Sequence, residues 1–195
     1  MRRAHFNFAV PSSPISFFED ERKKSIFGVL NYCNMIILIE GLAMCFILLI
    51  ICVIGIAKEG PVGLVTFYEQ DVKDRVVKLG LTTKEKIQKS TAIVGIAVLI
   101  PSLLLIPYMV YGVNGAAGFW DGFWQMTVIG LIVGVFDRIF IDWYWVGKTK
   151  AWEIPGTEDL KPYIPKSTVI RKWIATVIVH PAFYALIAWA MTLIR

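Results

Sequence analysis

Three ionisable residues stand inside an otherwise apolar stretch of this sequence. Asp137, Arg138 and Asp142 fall in the last third of a run that begins near Asp121 and continues to about Trp145. If that run crosses a membrane, its ionisable groups must face protein or water and find partners, because lipid cannot solvate them. Arg138 and Asp142 are four residues apart, which lets them pair on one helix. Groups of this kind relay protons or ions, or line a pocket for a polar solute.

His180 and Tyr184 extend the same candidate cluster from a second apolar run. Together with Trp173 and Thr176 they recur at steps of three, four and four, which places them on one face of a helix. If the two runs are antiparallel neighbours, Asp137 and His180 lie at similar depth, roughly 10 to 12 Å from the inner membrane surface. We therefore predict an ion or solute site formed by Asp137, Arg138, Asp142, His180 and Tyr184.

Two other interpretations of this cluster remain open. The charges can form a buried ion pair beside a hydrogen-bonded histidine and fix helix packing, since polar contacts between helices hold membrane bundles together. If the third apolar run spans less of the membrane, residues 137–142 lie at the lipid headgroups and are interfacial. The three interpretations differ in whether the charges meet water, each other or headgroups.

Glu40 is a further candidate for ion or solute binding. It is the only charged residue inside the first apolar run. On a helical wheel it lies opposite a stripe of Asn34, Gly41, Cys45 and Cys52, so we expect it to reach the outer interface by snorkelling. The stripe itself predicts a helix-packing seam that is available for self-association.

Signatures of catalysis are sparse. The sequence has no H-E-x-x-H, G-x-S-x-G or P-loop motif, no cluster of Cys and His residues, and only two histidines, His5 and His180. His180-Pro-Ala-Phe-Tyr184 is similar to the His-Pro-x-x-Tyr element of membrane isoprenylcysteine and phospholipid methyltransferases. In that family an arginine precedes the histidine and a further helical hairpin follows, whereas here Val179 precedes it and the sequence ends at Arg195. We expect no catalytic residue, cofactor, metal ion or nucleic acid partner.

Four apolar runs must position these residues. The 195-residue chain is 56% hydrophobic and 18% charged, with a mean hydropathy of +0.62, which is too apolar for a soluble domain of this size. A membrane-spanning helix needs about 20 mostly apolar residues. The sequence predicts an all-α polytopic transmembrane bundle at 31–195, preceded by a polar segment at 1–30. The predicted spans are about 35–57, 91–113, 122–145 and 173–194.

The loops between the runs predict their orientation. Seven lysines and arginines lie between Lys58 and Ser90 and six between Val146 and Lys172, but none lies in 114–120. The positive-inside rule places the two basic loops in the cytoplasm, next to anionic lipids, and both termini outside. Five basic residues ahead of the first run oppose that orientation. A re-entrant first segment is the alternative.

A short amphipathic helix is expected in the first basic loop. Apolar residues recur there at Tyr68, Val72, Val76 and Leu79, and Gly80 follows as a helix-ending glycine. Such a helix lies on the membrane surface, or else docks a partner. The second basic loop carries no phosphate-binding or metal-binding pattern, and we expect it to be a structured connector.

Several segments resemble a family of small bacterial multi-pass membrane proteins with no assigned activity. The resemblance runs from about Tyr68 to the C-terminus. It rests on Leu79-Gly-Leu-Thr-Thr-Lys-Glu-Lys-Ile, Gly118-Phe-Trp-Asp-Gly-Phe-Trp-Gln, Phe136-Asp-Arg-Ile-Phe-Ile-Asp-Trp-Tyr-Trp-Val-Gly-Lys-Thr-Lys-Ala-Trp and Ile154-Pro-Gly-Thr-Glu-Asp-Leu. It implies a bacterial cytoplasmic membrane and no catalytic or binding residue.

These features together predict a multi-pass membrane protein whose polar cluster handles a proton, an ion or a small polar solute. We expect self-association, because four spans alone seldom enclose a pathway. One alternative is an accessory or scaffold membrane protein in which the same cluster locks helix packing. A membrane-embedded lipid-modifying enzyme is the third.

Overall fold

A computed structural model describes the backbone of residues 14–194 and the side chains of residues 34–194. Every regular element in this part of the chain is helical. Contacts divide the chain into two units, Met1–Ile36 and Ile37–Arg195, and the packing described below lies within the second. The predicted polar segment at 1–30 lies outside the described side chains.

Six α-helices carry the described part of the chain. α1 covers Pro14–Glu59, α2 covers Gln70–Lys78, α3 covers Lys84–Ile100, α4 covers Gly118–Phe136, α5 covers Lys166–Ile174 and α6 covers His180–Ile194. A 3-10 stretch continues α1 at Gly60–Phe67, and a 3-10 turn lies at Glu158–Leu160. π-helical segments lie at Pro101–Leu105, Tyr108–Val113, Asp137–Val146 and Ala175–Val179.

Four helical stretches are long and apolar enough to cross a membrane: Asn34–Phe67, Lys84–Val113, Gly118–Val146 and Lys166–Ile194. They have 34, 30, 29 and 29 residues, where about 20 suffice. The predicted all-α architecture with four such helices is confirmed for the described residues. In each stretch no more than 33% of the most apolar window is buried inside the chain, so most of the apolar surface points outward, as at surfaces that contact membranes.

α4 packs closely against the last helical stretch because its glycines leave room. A Cβ at Gly130 would collide with the ring of Tyr184, and a Cβ at Gly134 would collide with the methyl group of Thr176. The spacing of Gly130 and Gly134 in the sequence predicts a helix-packing face on this run, and these contacts confirm it. Small residues at this spacing let two helices approach until their side chains interlock.

The stripe on α1 packs inside the chain. Gly41 lies against the side chain of Ile132 in α4, and the Cys45 thiol donates to the Ile132 carbonyl oxygen at 3.9 Å. Cys52 is buried as well. The expectation that these residues form a seam for self-association is wrong, because α4 already occupies the groove that Gly41 leaves open.

The two long loops pack on each other and close one end of the bundle. We call these loop segments, 68–80 and 150–163, the cap. Val72 and Val76 of α2 are fully buried in a cluster that includes Trp152 and Tyr163. The Tyr68 hydroxyl donates to the Trp152 carbonyl oxygen at 2.5 Å, and burial raises the pKa of Tyr68. The expectation that the apolar face of this helix meets a membrane surface or a partner is thus wrong, because the second loop covers it.

A bidentate ion pair joins the two cap loops at their exposed edge. Arg75 donates to both carboxylate oxygens of Asp159 at 3.1 and 3.0 Å, and also to the Gly156 carbonyl oxygen at 3.2 Å. The hydrogen bonds from Arg75 lower the pKa of Asp159. Gly156 has φ +85°, which closes the turn after Pro155 and aims its carbonyl group outward.

Candidate functional site

Four charged side chains form one ion-paired group where α4 meets α5. Arg138 pairs with Asp137, and its guanidinium lies 2.7 Å from Asp142. Lys172 of α5 donates to the other carboxylate oxygen of Asp142 at 2.8 Å. The side chains of Arg138 and Asp142 are only 11% and 12% exposed. We call Asp137, Arg138, Asp142 and Lys172 the charge cluster.

The pairing of Arg138 with Asp142 was predicted from their spacing and is confirmed. Two carboxylates face two cations, so the charge cluster is neutral as a whole. Partial burial makes this balance necessary, since an unpaired charge removed from water costs several kcal/mol. Arg138 Nε nevertheless makes no hydrogen bond among the described residues and has no access to solvent. The arginine is therefore held by its two carboxylates and is not fully satisfied by them.

π-helical segments lie at and next to the charge cluster. The α4 stretch becomes π-helical at Asp137–Val146, and a second π-helical segment, Ala175–Val179, joins α5 to α6. Such segments add a residue to a turn, rotate the following side chains and are frequent at functional sites. Asp137, Arg138 and Asp142 all lie in the first segment, and Lys172 lies three residues before the second.

The last helical stretch does not present the predicted face. Thr176 and Tyr184 are buried, whereas Trp173 is 36% exposed and His180 is exposed as well. The prediction of one continuous buried face is wrong, because α4 covers only the side of this stretch that carries Thr176 and Tyr184, which pack on Gly134 and Gly130. Thr176 donates its hydroxyl to the Lys172 carbonyl oxygen at 3.0 Å, which ties this segment to the charge cluster.

A cavity of about 280 Å³ lies against the charge cluster. All four charged side chains and His180 line it. Most of the remaining wall is apolar and comes from α1 and the 3-10 stretch that continues it, from α3, from the two π-helical segments that flank the cluster, and from Trp152 of the cap and the nearby Ile164. These residues are Leu48, Cys52, Phe67, Val98, Ile141, Val146, Trp152, Ile164 and Ala175. We call this space the apolar cavity.

A second, larger cavity of about 740 Å³ adjoins the first. Arg138 and Asp142 line both cavities and therefore stand between them. The second space is bordered by Lys148 and by the cap residues Glu153 and Lys161, and we call it the polar cavity. Glu153 accepts a hydrogen bond from Lys161 at 2.5 Å, and this bond raises the pKa of Lys161.

Tyr184 and Glu40 do not belong to this site. Tyr184 packs in the core of the bundle against Gly130. Glu40 is buried and accepts a hydrogen bond at 3.0 Å from Asn114, at the opposite end of α4 from the charge cluster. The expectation that Glu40 snorkels to an interface is wrong, because Asn114 satisfies it inside the chain. Of the six candidates, Asp137, Arg138, Asp142 and His180 share one cavity.

Glu40 is part of a hydrogen-bonded network of amides and carboxylates. The side-chain nitrogen of Asn114 donates to Glu40 and to Gln125, each at 3.0 Å. Gln125 in turn donates to Asp121 at 2.9 Å, and Asp121 accepts the Ala117 backbone N–H at 3.1 Å. These hydrogen bonds join α1, the end of the second helical stretch and α4. We call it the amide network.

Sequence reasoning missed Lys172, Asn114 and Gln125. Lys172 begins the last apolar run, opposite the end of the third, and an antiparallel arrangement places it beside Asp142. Gln125 is an amide within an apolar run and Asn114 follows one, a pattern that signals hydrogen bonding between helices.

No three His, Cys, Asp or Glu side chains among the described residues come together as a metal site. The site is a cation–carboxylate cluster that lines two cavities. Comparison with protein-family models, with curated proteins and with solved structures found no match to this chain.

Proposed function

We propose that the protein is a multi-pass membrane protein that binds a small polar or charged solute at the charge cluster, with the cap on the cytoplasmic side of a bacterial membrane. One observation carries the proposal: Arg138 and Asp142 stand between two adjoining cavities, where a ligand from either side would meet them. Ligand pockets are usually about 300 to 1,000 Å³ and mostly apolar, with a few convergent polar groups. Both cavities approach or fall within that range.

Binding fits the described residues better than relay of an ion across a single chain. The charge cluster and the amide network are separated by the twelve residues of α4 from Gln125 to Asp137, which is about 18 Å along a helix. Met126 and Ile129 fill the core between them and are fully buried. Passage across the whole bundle would therefore need another element, such as a second copy of the chain.

The charge balance of the cluster supports an alternative, in which the protein is a scaffold and the cluster only locks α4 to α5. Each carboxylate in the cluster has a cation partner, as a structural lock requires. The two functions differ in whether water and solutes reach the apolar cavity. A cluster that only holds helices together is most stable when water is excluded from it, whereas a binding site must be accessible to its solute.

Cysteine accessibility separates these two functions. In a chain without native cysteines, Ala175→Cys places a thiol in the cavity wall without touching an ion pair. Ala188→Cys is the matched control, because Ala188 is fully buried in the core and lines neither cavity. We expect a membrane-impermeant charged thiol reagent to label the first variant from the cytoplasmic side and to leave the second unlabelled.

The same experiment can contradict the proposal. If position 175 is as protected as position 188 in intact membranes and in detergent, the cavity is closed to polar molecules and the scaffold function is favoured. Labelling at 175 only from the opposite side would reverse the proposed orientation.

A further inference from the structure

We propose that the occupant of this site is an anionic amphiphile: an acyl chain lies in the apolar cavity, and its phosphate or carboxylate headgroup lies among the cations of the polar cavity. The inference rests on the proposed function and names the class of ligand. Three features carry it, namely the wall of the apolar cavity, its opening and the charge of the groups around both spaces.

The apolar cavity suits a hydrocarbon chain better than a sugar or a nucleotide. Leu48 and Cys52 of α1, Ile141 and Ala175 of the π-helical segments and Trp152 of the cap line it. Leu48, Cys52, Ile141 and Ala175 give a fully polar molecule almost nothing to replace the water it would lose on entry, and the indole N–H of Trp152, which has no partner among the described residues, is the one strong donor of this set. Burial of methylene groups is favourable there, at about 0.8 kcal/mol for each.

The apolar cavity reaches the outer surface of the bundle between α3 and the start of α6. Val98 and His180 line it, yet Val98 is 37% exposed and His180 is exposed too. α3 leaves this side open because none of its residues is buried. In a membrane that surface meets lipid, so an amphiphile can enter sideways with its chain remaining in an apolar medium throughout.

Charge selects the headgroup. The two cavities are lined by four cations, Arg138, Lys148, Lys161 and Lys172, and by three carboxylates, Asp137, Asp142 and Glu153. With His180 counted as neutral, the four cations and three carboxylates have a net charge of +1.

The surplus resides on Lys148. Each of the three carboxylates already pairs with a cation. Lys148 contacts no carboxylate among the described residues, and its ammonium group lies 5.7 Å from the centre of the Trp143 ring. A headgroup with one negative charge completes the balance at this lysine, beside Arg138 in the same cavity.

The test compares three probes on the full chain in detergent: dioleoyl phosphatidic acid, dioleoyl phosphatidylcholine and glycerol 3-phosphate. Dissociation constants are measured by native mass spectrometry and by protection of Ala175→Cys from thiol labelling. We expect phosphatidic acid to bind at least several-fold more tightly than phosphatidylcholine. We expect glycerol 3-phosphate, which has the phosphate without the chains, to give no protection at the same concentration.

A pair of lysine variants shows whether the polar cavity sets this preference. Lys148→Ala removes an exposed side chain that lines the cavity, and Lys150→Ala removes an exposed lysine in the same loop that does not. We expect phosphatidic acid to bind about fivefold more weakly to the first variant, which is the effect of one basic residue near a lipid headgroup. The second variant should bind like the unaltered chain.

Each contrary outcome overturns a different statement. Equal affinity for both lipids, or equal effects of the two lysine variants, overturns selection by charge. Protection of position 175 by glycerol 3-phosphate as strongly as by phosphatidic acid overturns the amphiphile and leaves the proposed solute function standing. Failure of the reagent to label ligand-free Ala175→Cys refutes the proposed function itself.

Discussion

Replacing Asp142 with asparagine removes the carboxylate that joins α4 to α5. Asp142 forms an ion pair with Arg138 at 2.7 Å and accepts a hydrogen bond from Lys172 at 2.8 Å, and its side chain is 12% exposed. The variant therefore leaves one buried and one partly buried cation short of a partner. Removing one member of a buried ion pair costs about 3 to 5 kcal/mol. Since Lys172 is 30% exposed and can turn toward water, we expect about 3 kcal/mol, the lower end of that range.

Lys172→Met gives the matched, smaller perturbation. It removes one charged hydrogen bond but leaves Asp142 paired with Arg138, so no buried charge is stranded. We expect a loss of about 1.5 kcal/mol, the lower value for a hydrogen bond to a charged group. Lys150→Met, an exposed position in the cap, should leave stability unchanged.

The assay is equilibrium unfolding of the purified chain in mixed micelles, followed by far-UV circular dichroism as the denaturing detergent is increased. The predicted order of lost stability is Asp142→Asn, then Lys172→Met, then Lys150→Met. An Asp142→Asn variant as stable as Lys150→Met would refute the argument that the charge cluster is buried and coupled. Equal losses for the Asp142 and Lys172 variants would refute the statement that Arg138 shares the carboxylate.

Three other perturbations test separate parts of the structure. Gly130→Ala drives a methyl group into Tyr184 and should lower the free energy of unfolding by about 1 to 3 kcal/mol. Gly95→Ala is its control, because a methyl group there meets no atom within 4 Å, and it should leave stability unchanged or slightly raised in the same assay. Asn114→Leu removes two hydrogen bonds of 3.0 Å and leaves a buried carboxylate without its donor, so we expect a loss of about 1 to 3 kcal/mol; stability equal to the unaltered chain would show that the amide network is not formed. The hydrogen bond from Arg75 lowers the pKa of Asp159, so the stability that Asp159 contributes is present above the ordinary pKa of 3.8 and is lost as the pH falls through the lower pKa of the folded state. The difference in melting temperature between the unaltered chain and Asp159→Asn should therefore shrink between pH 6 and pH 3. A difference that stays constant with pH would contradict the pairing of Asp159 with Arg75.

The core of the charge cluster could be predicted because its signal is local. Asp137, Arg138 and Asp142 are charged residues in an apolar run, and the spacing of the last two sets a pair on one helical turn. Gly130 and Gly134 revealed the packing face in the same way, since small residues four apart matter only where another helix approaches.

Three other predictions failed because they depended on contacts with residues that are distant in the sequence, which the pattern along a single helix does not show. Glu40 was expected at an interface, but its partner Asn114 is 74 residues away in the sequence. The apolar face of Val72 and Val76 was expected to meet a membrane surface or a partner, but the second cap loop covers it. His180 and Tyr184 were assigned to one face, but α4 covers Tyr184 through Gly130 and leaves His180 exposed.

The amino-acid sequence by itself determined the class of this protein and the identity of its unusual charges. Hydropathy and run length depend only on the order of residues, and they sufficed for four helices able to cross a membrane. The tertiary structure decided where Lys172 pairs, which faces are already covered, and that Arg138 and Asp142 stand between two cavities. A cavity is bounded by residues from several helices and both loops, so it exists only once long-range packing has brought those residues together.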